Sequence, residues 1–142
     1  MSNIVADSSV LAKWILPEAD SPLALRVLTQ TTHQGGRVII LDLAIIEVAN
    51  AIWKRHHQGF ATRDQCRRFL TLLMNAPVHI EPAARLVPAA WEIAAQYDRS
   101  VYDSLFVAFA KDLGIPGITA DGPLHRAVHA DFPEILLLSQ YS

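Results

Sequence analysis

A chain of 142 residues with twelve Lys and Arg against fourteen Asp and Glu carries a formal net charge of −2, which excludes the broad basic surface of a protein that holds nucleic acid electrostatically. Hydrophobic residues make up 51% and charged residues 18%, which excludes a disordered chain and leaves enough apolar material for one substantial core. No stretch approaches the roughly 18 uninterrupted apolar residues of a membrane span. The single cysteine, Cys66, cannot close an internal disulfide. With no basic segment and long apolar block at the start, the expected compartment is the cytoplasm.

Ile4 to Ala6 is a short β-branched run ending in Asp7-Ser8-Ser9, a pattern that predicts a buried strand delivering a carboxylate to its C-terminal end. Val10, Leu11, Trp14 and Ile15 then recur at helical spacing until Pro17 stops the helix. Ser21-Pro22 opens a second helix and Gly35-Gly36 closes it. Val38 to Leu41 reads as a second buried strand, followed by a helix from about Leu43 to Gln58 that ends at Gly59. Thr62 to Gln65 has capping-box spacing and starts a helix reaching about Met74.

Val78 to Ile80, between Pro77 and Pro82, predicts a third strand. A helical pattern follows from Arg85 to Tyr97, with Pro88 kinking it or opening its second piece. Ser100 begins a helix that reaches Leu113 and ends at Gly114. Ile115 to Thr119 reads as a strand, Pro123 to Val128 as a short helix and Ile135 to Leu138 as a last strand. Strands alternate with helices throughout. That alternation predicts an α/β fold, a three-layer α/β/α sandwich with a mainly parallel central sheet, in one domain spanning residues 1–142.

Four acids stand out by position. Asp7 lies where a strand meets a helix, which also suits an N-cap. Glu47 sits in a polar stripe, with Asn50 and Lys54, on a helix that is otherwise apolar and therefore reads as buried. A buried carboxylate needs a cation or donors; a solvated stripe is the alternative. Asp103 fits the capping box begun by Ser100, yet the strongly apolar Leu105 to Ala110 behind it makes that helix central. Asp121 follows an apolar strand and also fits a turn. As a set, these oxygen ligands suit Mg²⁺ or Mn²⁺, and no Cys/His cluster offers a zinc alternative. No P-loop, GxGxxG or GxSxG motif is present.

Val5-Ala6-Asp7-Ser8-Ser9-Val10-Leu11-Ala12-Lys13-Trp14, Glu47 in its apolar helix, Tyr102-Asp103-Ser104-Leu105-Phe106-Val107-Ala108-Phe109-Ala110 and Ile118-Thr119-Ala120-Asp121 together resemble the PIN domain, in particular the VapC-type toxins of toxin–antitoxin pairs. The resemblance covers residue 4 to about 138. It implies that Asp7, Glu47, Asp103 and Asp121 are an acidic quartet that binds Mg²⁺ or Mn²⁺ and supports RNA cleavage. Asp7, Asp103 and Asp121 would be ligands, and Glu47 a ligand or the orienter of a water. It also implies a homodimer, a small cognate antitoxin as partner, and contact with DNA only through that antitoxin. Small hydroxyl residues near the acids, Ser8 or Ser9 and Thr119, fit the family pattern, whereas Asp98 has no place in it. The basic stretch of Lys54, Arg55, Arg63, Arg67 and Arg68 can hold an RNA backbone or form a solvated face.

Other chemistries at a sheet edge fit less well. A phosphoacceptor receiver needs an acidic pair after its first strand, and a haloacid-dehalogenase-type phosphatase needs an acid where Ser9 stands. A non-catalytic binding module of the same fold remains the alternative to a nuclease.

Overall fold

The computed structural model describes residues 2–141. Its elements in chain order are β1 (Ile4–Ala6), α1 (Ser8–Ile15), α2 (Ser21–His33), β2 (Val38–Leu41), α3 (Asp42–His57), α4 (Arg63–Met74) and β3 (His79–Glu81). There follow a 3₁₀ turn (Ala84–Leu86), α5 (Val87–Tyr97), α6 (Val101–Leu113), β4 (Gly117–Thr119), α7 (Gly122–Val128) and β5 (Ile135–Leu137). The strands form one parallel sheet in the order β3-β2-β1-β4-β5, as the strand–helix alternation predicts.

Side chains alternate along each strand, so the sheet divides the apolar residues into two cores. Ile4 and Ala6, Val38 and Ile40, and Ile118 face one core, closed by Val10 and Leu11 of α1, Val27 of α2, and Val48 and Ile52 of α3. Val5, Ile39, Leu41 and Ile135 face the other, closed by α5, by Leu105 to Ala110 of α6, and by Leu124 and Val128 of α7. The inner strands are buried on both faces, which explains why they read as continuous apolar runs. At Gly117, β4 runs so close to α6 that a Cβ would stand 2.9 Å from Phe106 Cζ and 3.0 Å from Ala110 Cβ.

The chain leaves β1 toward β2 and β3 with α1 to α4, then returns past β1 through α5 and α6 to β4 and β5. β1 and β4 are neighbours, with Ala6 opposite Ile118. The direction of winding reverses between them, and the carboxyl ends of strands at such a switch point open into a crevice.

The structure adjusts or decides three local readings: two strand starts, the role of Pro88 and the burial of α3. β3 sits one residue later than Val78 to Ile80, and β4 begins at Gly117, because Pro116 has no N–H to give to a ladder. Pro88 lies in the first turn of α5, where a missing N–H costs nothing, so the proline opens a helix rather than kinking one. The third shift matters more. Only Ala44, Val48 and Ile52 of α3 are buried, while Ile46 and Trp53 are 65% and 53% exposed. The apolar character of α3 therefore serves an open surface as well as the core.

Candidate active site

Asp7 is the first residue beyond β1. Its extended backbone (φ −72°, ψ 157°) makes it the N-cap of α1, and its Oδ1 accepts from the Ser8 N–H at 2.9 Å. Its Oδ2 accepts from the hydroxyls of Ser9 (2.9 Å) and Thr119 (2.8 Å). Those hydroxyls also accept backbone donors: Ser9 Oγ from the Ala120 N–H at 2.9 Å, Thr119 Oγ1 from the Asp121 N–H at 3.0 Å. Two strand ends are thus tied into one network, with Thr119 fully buried at its centre. Asp121 in turn caps α7, its Oδ1 accepting from the Leu124 N–H at 3.1 Å.

The other two acids come from the helix layers. Ser100 caps α6, its hydroxyl accepting from the Asp103 N–H at 3.1 Å, which fixes Asp103 in the first turn. Glu47 stands one turn into α3. Asp7, Glu47, Asp103 and Asp121 line a common cleft of about 330 Å³, together with Ser8, Ser9, Asn50 and Lys54. The Glu47–Asn50–Lys54 stripe is therefore neither buried in apolar surroundings nor an idle solvated face; it is the α3 wall of this cleft.

Crowding of like charges shows in the proton affinities. Burial is the main reason that the Asp7 carboxyl is pushed up from 3.8 to about 6. The Thr119 and Ser9 hydrogen bonds hold it down in part, and the Asp103 charge pushes the same way as burial. Glu47 is pushed up from 4.5 to about 7, by burial first and then by Asp7, with Ser8 opposing and Asp103 adding a little. Asp103 is raised by burial and by Asp121, against a smaller pull from Arg99. Repulsion thus links Asp7, Glu47 and Asp103, with the Asp121 charge acting on Asp103.

The donor set is oxygen only, since neither His nor Cys lines the cleft. Among the described residues, no three Asp, Glu, His or Cys side chains converge closely enough to enclose an ion by themselves. A zinc-type cage is therefore absent there. The arrangement instead fits a hard cation such as Mg²⁺, which binds through one or two carboxylates and keeps much of its water.

Residues 4–129 match the family model described as the PIN domain. The chain belongs to the PIN domain family. Ribonuclease VapC3 of Pyrobaculum aerophilum is 30% identical over 135 residues, covering 94% of this chain and 97% of that relative. Among solved structures, Mycobacterium tuberculosis VapC20, a toxin that cleaves the sarcin–ricin loop, superposes with a TM-score of 0.66 at 18% identity, over 93% of this chain and 98% of the other. VapBC2 of Rickettsia felis, bound to a DNA fragment from its promoter, matches with a TM-score of 0.61 at 11% identity, over 94% and 96%. These two superpositions establish a shared PIN fold.

All four acids expected from the sequence meet in one cleft. Asp98 is not part of it: it ends α5 in the left-handed region (φ 54°), the one non-glycine residue with positive φ among those described. One feature went unforeseen. Arg99 Nη2 stands 3.8 Å from Asp103 Oδ2, the only Lys or Arg within 4.0 Å of any of the four carboxylates among the described residues. A basic residue four positions before a first-turn acid on the same helix end was the available signal.

Proposed function

We propose that this chain, acting as one PIN-like domain over residues 1–142, is a Mg²⁺- or Mn²⁺-dependent endoribonuclease and the toxin of a type II toxin–antitoxin pair. The convergence of Asp7, Glu47, Asp103 and Asp121 on one cleft at the switch point of the sheet carries this reading. The 30% identity to a ribonuclease over nearly the whole chain supports it.

Asp7, Asp103 and Asp121 would hold a divalent cation, one or two of them directly and the rest through its bound water, and Glu47 would either join them or orient the attacking water. When bound, such a cation activates water and neutralises the charge that develops on phosphorus. The chain's own contribution is position and charge. Ser9 and Thr119 lock the Asp7 carboxylate to the adjacent strand end, and Ser100 fixes the turn that presents Asp103. Glu47, with a carboxyl pushed up to about 7 in the metal-free cleft and brought down when a cation offsets the neighbouring charges, would be ionised to take a proton from water.

A small antitoxin is the expected partner, with a second copy of the chain and with DNA reached only through the antitoxin. Exposed Ile46, Trp53, Phe60, Leu72 and Met74 support such contacts, since they leave apolar area for a partner to cover. No helix among the described residues is long and apolar enough to cross a membrane, which suits a cytoplasmic toxin.

The test incubates purified protein with a labelled RNA in Mg²⁺, in Mn²⁺ and in chelator, beside Asp103→Asn. Cleavage that needs the metal and is lost in the variant is the expected result. RNA binding without cleavage under all conditions would identify a non-catalytic module instead.

A further inference from the structure

A cleft with four carboxylates repels the polyanion it has to receive, so RNA needs cations beside it. Four of the twelve Lys and Arg are engaged by carboxylates outside the acidic quartet. Lys13 is paired with Glu18 and Asp20, Arg55 with Glu18, Arg67 with Asp64 and Arg85 with Asp112. Of the basic stretch between Lys54 and Arg68, only Lys54 lines the cleft, and it has no carboxylate within 4.0 Å among the described residues. On the other side stands Arg99, beside Asp103.

Arg99 is held but not used. Its Nη2 contact with Asp103 is 3.8 Å, beyond hydrogen-bond reach. Its Nε is buried with no hydrogen-bond partner, which is uncommon for a buried donor. The turn that places it runs through Asp98, whose positive φ costs energy in a non-glycine residue. With Nε closed off from solvent, the Nη donors of this partly exposed guanidinium are what a phosphate can meet bidentately. Lys54 belongs to α3, over one core, and Arg99 opens the approach to α6, over the other. The two cations thus flank the acids from opposite sides of the sheet.

We propose that Arg99 and Lys54 are the RNA-phosphate contacts of this site, one on each side of the acidic cleft, so that the RNA backbone crosses the sheet edge from α3 toward the start of α6. This inference rests on the nuclease reading and deepens it.

The decisive measurement is binding of a fluorescent single-stranded RNA oligonucleotide in chelator, where nothing is cut, over a series of KCl concentrations. Each lost phosphate contact on a single strand lowers the slope of log K against log salt by about 0.7, which amounts to about fivefold in affinity at ~0.1 M salt. Arg99→Gln and Lys54→Gln are each expected to show that loss, the pair to show about twice the slope change, and Arg99→Lys to regain the slope. Thermal melting verifies that each variant is folded, and exposed Lys54 gives an independent arm should Arg99→Gln fail to fold. Parent protein that cuts RNA while both variants keep the parental slope and affinity would overturn this inference and leave the nuclease intact. Parent protein that neither binds nor cuts RNA with Mg²⁺ or Mn²⁺ would overturn the nuclease reading, and this inference with it.

Discussion

Asp7 serves local structure and chemistry through the same atoms. It caps α1 and also stands in the cleft, so the cap reading of the sequence holds and the proposed ligand role falls on the same carboxylate. The same holds for Asp121, which caps α7. Sequence could not separate the two, because a carboxylate at the end of a strand meets a helix N-terminus either way. Substitution can. Asn caps as well as Asp, and its amide can donate to the Ser9 and Thr119 hydroxyl oxygens. Asp7→Asn is expected to abolish RNA cleavage while melting at or above the parent in chelator, since one of the repelling charges is gone. Asp7→Ala loses the cap as well, at a cost of about 0.5–2 kcal/mol, and should melt below Asp7→Asn. Calorimetry of the three proteins in chelator, with cleavage assays alongside, decides this; two variants melting equally far below the parent would make Asp7 a structural cap alone. Thr119→Val should leave the Asp121 N–H without an acceptor, costing about 1–3 kcal/mol, and Thr119→Ser should restore both stability and cleavage. The position of Thr119 fitted the family pattern in sequence, but its bridge to Asp7 needed the β1–β4 pairing, which no local pattern reveals.

At the level of elements, the alternation of strand and helix was legible because parallel strands buried on both faces must be apolar throughout. The strand boundaries were less so. β3, an edge strand with exposed His79 and Ile80, carries little burial signal, and it starts and ends one residue later than expected. The reading of α3 as a largely apolar and therefore buried helix held for one face only, for a different reason. Apolar residues also cover surfaces meant for other chains, and sequence shows the residue without showing what faces it. Gly117 offers a sharper test of how β4 positions the cleft. A Cβ there would meet Phe106, Ala110 and Ile135 at 2.9 to 3.1 Å, in a core with no slack. Gly117→Ala should therefore destabilise by about 1–3 kcal/mol and weaken cleavage by displacing the strand that ends at Thr119 and Asp121. Denaturant titration and a cleavage assay measure both; unchanged stability would mean that β4 and α6 separate easily.

Across the whole molecule, the acidic cleft sets how stability responds to pH and metal. In the unfolded chain Asp7 and Glu47 ionise near 3.8 and 4.5, whereas folding pushes them up to about 6 and about 7, with Asp103 raised as well. Between about pH 4 and pH 7 the folded state therefore holds more protons than the unfolded state, and stability falls as pH rises. Below that window both states are protonated and the acids contribute nothing; above it the repulsion is fully present. His125, lowered by burial and by the neighbouring charges of His129 and Arg126, acts in the opposite sense as pH falls below its ordinary value, but it is one group against three. Urea midpoints in chelator should accordingly decline from pH 4.5 toward pH 7.5, a range spanning roughly the two states' ionisation, and Glu47→Gln should flatten that decline. Under the proposed function, Mg²⁺ or Mn²⁺ would bind only the folded cleft and compete with protons there, so its stabilisation should grow with pH and be smaller in the variant. If Glu47→Gln follows the parental curve in chelator and in metal alike, Glu47 is an ordinary solvated side chain, and neither a ligand role nor a proton-accepting role can be kept for it.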